Sequence, residues 1–89
     1  MTLNFPNVSR SFEAKRNRVR FWGYDSALEI TFFIEGSLLA KLSPGCGKGE
    51  AGLLKAFDAM IEPIHGAARK AYESGRTRSD IHVLAEGQF

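Results

Sequence analysis

The stretch that decides the fold runs from Arg18 to Ile34 and reads Arg-Val-Arg-Phe-Trp-Gly-Tyr-Asp-Ser-Ala-Leu-Glu-Ile-Thr-Phe-Phe-Ile. Apolar and polar side chains alternate with a period of two on both sides of a polar turn, which is the pattern of a half-buried β-hairpin. The face predicted to be buried carries Val19, Phe21, Gly23, Leu28, Ile30, Phe32 and Ile34. The opposite face carries Arg18, Arg20, Trp22, Tyr24, Glu29, Thr31, Phe33 and Glu35.

Residues 10 to 15 alternate in the same way, more weakly, and are expected to add a strand before the hairpin. We expect two-residue turns at Arg16–Asn17 and at Asp25–Ser26, between the strands. The predicted neighbours are Phe12–Phe21 and Ala14–Val19 across the first turn, and Phe21–Ile30 and Val19–Phe32 across the second. The two registers agree, because all of these apolar residues fall on one face and a one-residue slip would move them to the other.

The second half of the chain is expected to be mainly helical. Gly36 and Ser37 end the last strand of the meander, and Ser37 is a candidate N-cap for a short helix that ends at Leu42. Residues 43–49 have the composition of a loop. A long amphipathic helix is predicted from about Glu50 to Ser74, with apolar residues at spacings of three and four: Leu53, Phe57, Met60, Ile61, Ile64, Ala68 and Ala71.

Pro63 lies in the middle of that helix and has no amide hydrogen to donate to the carbonyl of Ala59. We therefore expect a kink at this point, or two helices. Residues 80–85 predict a last strand at an edge of the sheet. The element order β-β-β-α-α-β predicts an α+β fold of two layers, an antiparallel β-sheet packed on one face by a kinked long helix. The sequence has no internal repeat or linker, so residues 1–89 are expected to form a single domain.

The composition narrows the classes of protein to which this chain can belong. Its 89 residues, 44% hydrophobic and 25% charged, are typical of a small globular domain. The formal charge of +2 does not by itself indicate nucleic-acid binding, although five of the twelve basic residues fall between positions 10 and 20. The single cysteine, Cys46, excludes an internal disulfide and fits a reducing compartment. The first residues lack a signal-peptide pattern and no apolar run is long enough to span a membrane, so we expect a cytoplasmic protein.

Several segments of the sequence together resemble one protein family. They are the strands 19–25 and 28–34, the helix positions Phe57-Asp58, Ile64, Ala68 and Lys70-Ala-Tyr72, and the closing strand 81–84. In this order they resemble domain of unknown function 1488 (DUF1488), a family of short proteobacterial proteins. The resemblance covers most of the chain and implies a small two-layer α+β domain in a bacterial protein. It implies no catalytic residue, because none is established for the family.

The glycine-rich loop does not match a nucleotide-binding motif. Gly45-Cys-Gly-Lys-Gly49 resembles part of a phosphate-binding loop, but Leu42 stands where that motif has its first glycine, and Gly49 stands where it has serine or threonine. A weak anion site at the start of the long helix, where free amides and Lys48 converge, remains an alternative to a flexible loop. Cys46 has no adjacent histidine to activate it, so we expect no catalytic thiol.

The two histidines do not indicate a metal site, because His65 and His82 lack metal-ligand spacing with each other and with Cys46. Asp80 and His82 share one face of the last strand and can pair, which is usually a surface contact. The sequence therefore predicts no catalytic residue, no cofactor-binding residue and no metal ligand, and we expect a non-enzymatic protein.

The polar face of the hairpin is the candidate interaction face. It interleaves basic and aromatic side chains: Arg18, Arg20, Trp22, Tyr24 and Phe33. Exposed aromatic patches mark protein interfaces, and a second copy of the chain is the simplest partner. We therefore expect an interaction or regulatory module that forms a homodimer, with Trp22 at or near the contact.

Two other interpretations of this face stay open. Open sheets that interleave arginines and aromatics also bind single-stranded nucleic acids, by stacking bases and holding phosphates, so a nucleic-acid-binding protein, for example one acting in transcription, is the alternative function. A purely structural role would stack Arg18 over Phe33 and pair Glu13 with Arg20.

Overall fold

A computed structural model describes residues 3–5, 10–45, 49–74 and 81–89 of the chain. These described residues form a sheet of five strands and three α-helices. In chain order these are β1 (Leu3–Asn4), β2 (Arg10–Glu13), β3 (Arg18–Asp25), β4 (Leu28–Glu35), α1 (Gly36–Leu42), α2 (Glu50–Ala59), α3 (Ile61–Ser74) and β5 (Ile81–Val83). Short 3-10 helices occupy Ala14–Arg16 and Glu86–Gln88.

The long hairpin of β3 and β4 forms the centre of the sheet. These strands pair antiparallel over all eight residues of each. β1 and β2 both pair antiparallel with the other edge of β3, β1 at its C-terminal end and β2 at its N-terminal end. β5 lies beside β4 and runs parallel to it, because the chain returns to the sheet only after passing through the helical layer. The α+β fold is confirmed and the last strand is at an edge, but the sheet is mixed rather than wholly antiparallel.

Both predicted strand registers are wrong by two residues. Residues 14–16 form a 3-10 turn and Asn17 takes a left-handed conformation with φ 50°, so the first connection is longer than two residues. The second turn falls at Ser26–Ala27, with Ser26 at φ 57°. The observed neighbours are Arg10–Phe21 and Phe12–Val19 in the first pair of strands, and Phe21–Phe32, Val19–Ile34 and Gly23–Ile30 in the second. An even shift leaves each side chain on its predicted face, so the assignment of faces is confirmed.

The long helix is two helices rather than one kinked helix. It breaks at Met60, where φ is −108° and ψ is 22°, three residues before Pro63. Pro63 thus falls in the first turn of α3, where backbone amides have no helical acceptor and the missing N–H costs nothing. The predicted break is confirmed as two separate helices. The break precedes Pro63 because proline is tolerated in the first turn of a helix but not in its interior.

The expected short helix after β4 is present as α1, but Ser37 does not cap it. The N-cap position belongs to Glu35, which makes no side-chain capping bond, and Ser37 lies inside the first turn. Gly36 begins the helix in close contact with the first turn of the meander, since its amide donates to the carbonyl of Asn17 at 2.8 Å. A Cβ at Gly36 would lie 2.8 Å from that same oxygen, which explains the glycine.

The helices cover the face of the sheet that the alternation predicts to be buried. The fully buried residues of the core between the sheet and the helices come from β3, β4 and all three helices: Val19, Phe21, Ile30, Phe32, Ile34, Leu39, Leu53, Phe57 and Ile64. Arg10 ties the edge strand β2 to α2, because its guanidinium donates to both carboxylate oxygens of Asp58 at 2.7 and 2.8 Å. Leu28 is an exception to the predicted burial, since it lies at the tip of the hairpin and is 54% exposed.

An aromatic side chain from the N-terminal segment completes this core. The ring of Phe5 stacks on the ring of His65 with centroids 3.9 Å apart, and it lies about 6 Å from the rings of Phe21 and Phe32. Gly23 provides the space, because a Cβ there would lie 2.9 Å from the Phe5 ring. Burial lowers the pKa of His65, and the nearby charge of Arg69 lowers it further.

Candidate interaction face

The side of the sheet turned away from the helices is the candidate site, and we call it the open face. Strand pairing arranges its residues in four rows across β3, β4 and β5. From the C-terminal to the N-terminal end of β3, the rows are Tyr24–Glu29, Trp22–Thr31–Ile81, Arg20–Phe33–Val83 and Arg18–Glu35. The structure therefore brings together all five predicted face residues, as the alternation requires. On β2, Ser11 extends the row of Arg20 and Glu13 extends the row of Arg18.

Phe33 belongs to the open face but is not free to bind a partner. The guanidinium of Arg18 lies 3.6 Å from the centroid of its ring, and Phe33 is only 9% exposed. The Nε of Arg18 also donates to the carboxylate of Glu13 at 3.1 Å. Phe33 and Arg18 thus serve the structure of the face, as the structural interpretation expects, except that Glu13 pairs with Arg18 rather than with Arg20.

Solvent reaches Trp22 and Arg20 in the middle of the open face. Trp22 is half-buried and Arg20 is exposed, with the guanidinium of Arg20 5.0 Å from the centroid of the indole. In the next row, the hydroxyl of Tyr24 donates to the carboxylate of Glu29 at 3.4 Å. An amphipathic indole with a charged group beside it and a second aromatic ring in the next row is typical of protein contact surfaces.

Strand β5 widens the apolar part of the open face. Ile81 is 56% exposed and Val83 is 50% exposed, and strand pairing places them beside Thr31 and Phe33. Sequence reasoning missed these two residues as members of the face. Their alternation with His82 was visible in the sequence, but the order of strands in the sheet was not, so nothing indicated which neighbours they would have.

The charges of the open face are mixed rather than basic. Two arginines, Arg18 and Arg20, share it with three glutamates, Glu13, Glu29 and Glu35. The cluster of basic residues between positions 10 and 20 is therefore divided by the fold. Arg10 points to the helical side and binds Asp58, and Arg16 lies 3.6 Å from Glu13.

A shallow groove continues the open face past the end of β5. It has a volume of about 450 Å³ and lies between α1 and the C-terminal residues 83–86. Glu35 and Val83 belong to both the groove and the open face. An ion pair between Lys41 and Glu86, 2.9 Å from Nζ to Oε2, lies at this groove.

Both histidines pack against aromatic side chains. His82 packs against Phe32 and against the edge of Tyr72, and its Nε2 is buried with no hydrogen-bond partner. The hydroxyl of Tyr72 donates to the carboxylate of Asp25 at 2.5 Å, and that bond raises the pKa of Tyr72. Within the described ranges, no group of three His, Cys, Asp or Glu side chains is placed to hold a metal ion.

Three residues considered in the sequence, Cys46, Lys48 and Asp80, lie outside the described residues, and so does the proposed contact between Asp80 and His82. The helices of the described part of the chain are each too short or too polar to cross a membrane.

Comparison with known proteins gives one finding. The model of a family described as protein of unknown function (DUF1488) matches residues 3–84, which is nearly the whole chain. No curated protein and no solved structure matches the sequence significantly. The matched range includes the N-terminal strand, the hairpin, all three helices and β5. This chain is therefore a member of the DUF1488 family.

Proposed function

We propose that this protein is a non-enzymatic interaction module that self-associates through the open face of its sheet. The observation that supports this most directly is the row Trp22–Thr31–Ile81, in which an indole, a threonine and an exposed isoleucine form a mainly apolar stripe on the side that the helices do not cover. Contiguous exposed apolar surface on a small domain is typical of an interaction site. A second copy is the proposed partner because the same face carries arginine and glutamate together, so one surface can complement itself.

The charge balance favours a protein partner over a nucleic acid. A nucleic-acid-binding sheet presents basic side chains to the phosphates, and carboxylates among them repel the strand. Here three glutamates share the face with two arginines, and Arg18 is already engaged by Glu13 and Phe33. We also propose that the protein acts in the bacterial cytoplasm, which the single cysteine supports.

Sedimentation velocity of the wild type and of Trp22→Ala tests the self-association. We expect a concentration-dependent dimer for the wild type and a monomer for Trp22→Ala, with thermal melts that show both to be folded. Leu28→Ala is the matched control, because it also truncates a large apolar side chain that solvent reaches, but at the hairpin tip on the other face. A wild-type monomer at high micromolar concentration, or equal weakening by both substitutions, contradicts the proposal.

Fluorescence titration of Trp22, the only tryptophan in the chain, tests the nucleic-acid alternative. We expect no quenching by single-stranded oligonucleotides at low salt. Quenching that weakens as salt is added would replace the proposed protein interface with a nucleic-acid interface.

A further inference from the structure

We propose a specific geometry for the dimer, in which the two open faces pack on each other and Arg20 of each copy binds Glu29 of the other. The twofold axis lies between the two faces and runs along the Trp22–Thr31 row, perpendicular to the strands. This inference rests on the proposed self-association and specifies which charged residues pair across the contact. It identifies an intermolecular ion pair, and therefore which substitutions break the dimer and which pair of substitutions restores it.

Among the described residues of their own copy, Arg20 and Glu29 have no ionic partner. Among the described residues, Arg20 makes no ion pair, and its closest aromatic contact is with Trp22. Glu29 accepts only a long hydrogen bond of 3.4 Å from Tyr24 and makes no ion pair there. Both residues are exposed beside the apolar stripe. An unpaired arginine and an unpaired glutamate on one self-associating face are the components of a reciprocal contact.

The spacing of the rows also favours a contact between Arg20 and Glu29 of the two copies. Arg20 precedes Trp22 by two residues and Tyr24 follows it by two, so their rows lie about 7 Å on either side of the Trp22 row. A twofold axis along the Trp22–Thr31 row exchanges these two flanking rows. It therefore places Arg20 of one copy over Tyr24 of the other, and Glu29, which is opposite Tyr24 on β4, lies about 5 Å to the side. An arginine side chain spans that distance easily.

The same axis brings the two Trp22 side chains together at the centre of the contact. Protein interfaces usually have an apolar centre and a polar rim. The indole rings would form that centre, and the charged pairs would form the rim. The other axis to consider runs along the strands, between β3 and β4. It would place Arg18 over Glu35 of the second copy, but Arg18 is already held by Glu13 and covers Phe33. The unpaired charges therefore favour the axis across the strands.

Charge exchange between Arg20 and Glu29 is the test, measured by sedimentation velocity and by heterodimer formation between differently labelled chains. Arg20→Glu alone and Glu29→Arg alone each place two like-charge contacts in the dimer, and we expect each to weaken it by about 100-fold or more. An equimolar mixture of the two variants has opposite charges at both contacts, so we expect it to form a heterodimer. Glu35→Arg is the matched control, because it reverses the other carboxylate of the face that makes no ion pair with a described residue, and we expect its dimer to be retained.

The possible outcomes separate this inference from the function on which it rests. A wild-type dimer that Trp22→Ala disrupts, together with a mixture of Arg20→Glu and Glu29→Arg that stays monomeric, overturns the pairing and leaves the proposed function standing. Dissociation by Glu35→Arg overturns the choice of axis. A monomeric wild type overturns both proposals. If a charge reversal prevents folding in thermal melts, Arg20→Gln and Glu29→Gln replace it, and each is then expected to weaken the dimer by about tenfold, with an unchanged dimer overturning the pairing.

Discussion

Gly23 gives the sharpest test of how the N-terminal segment completes the core. A Cβ at this position would lie 2.9 Å from Cε1 of Phe5, 3.0 Å from Cδ1 of Leu3 and 3.2 Å from Cδ1 of Phe5. The Phe5 ring cannot turn aside freely, because it is stacked at 3.9 Å on His65 and lies against Phe21. We therefore expect Gly23→Ala to force Phe5 partly out of its site and to lower the free energy of unfolding by about 1–3 kcal/mol.

The direction of this effect is diagnostic, because the same substitution elsewhere should stabilise the protein. Gly66 lies within α3, and a Cβ added there would meet nothing within 4 Å. Gly66→Ala should therefore raise the free energy of unfolding by up to about 1 kcal/mol through helix propensity. Gly23→Ala would show a similar gain if no side chain occupied the space beside it.

A double-mutant cycle with Phe5→Ala measures the contact itself. In that background the main obstacle to the new methyl group is gone, so the cost of Gly23→Ala should fall by about 1 kcal/mol or more. The measurement is denaturant unfolding of the four proteins at one concentration, since self-association would otherwise change the apparent stability. Gly23→Ala that stabilises the protein, or a cost that is the same with and without Phe5, would refute the reasoning.

The remaining predictions concern the core, one histidine and the cysteine. Phe21→Ala should lower the free energy of unfolding by about 3–5 kcal/mol in denaturant melts, because the side chain is fully buried. An unchanged stability would mean that the buried and open faces of the sheet are assigned the wrong way round. His65 has a pKa below its usual value, so the folded state binds fewer protons than the unfolded state, and stability should fall as pH drops through about 6.5. His65→Phe should flatten that part of the pH profile of stability, and an unchanged profile would show that His65 is not the group responsible. Cys46→Ser should leave the melting temperature unchanged, whereas a large loss would indicate a reactive or structural thiol.

The sequence by itself determined the faces of the hairpin and the kinds of elements. Alternation with a period of two places Val19, Phe21 and Phe32 on one side and Trp22 and Arg20 on the other, whatever the exact turn. The three-to-four spacing after Glu50 and the position of Pro63 likewise predict the helices and a break between them. These features are local, because each depends only on side chains a few residues apart.

Only the tertiary structure decided the contacts that depend on where distant segments meet. Alternation cannot distinguish registers that differ by two residues, so the longer turn before Asn17 and the later turn at Ser26 shifted both pairings. Nothing local indicated that Phe5 would fill the space beside Gly23, or that Arg18 would cover Phe33.

The open face shows the same division. The sequence predicted its aromatic and basic members, because they alternate along two neighbouring strands. Its apolar extension by Ile81 and Val83 depends on β5 pairing with β4, although residues 36–80 separate the two strands in the chain. Its charge balance depends on Glu13 folding against Arg18. Such pairings follow from the packing of the helical layer on the sheet, which no local pattern encodes.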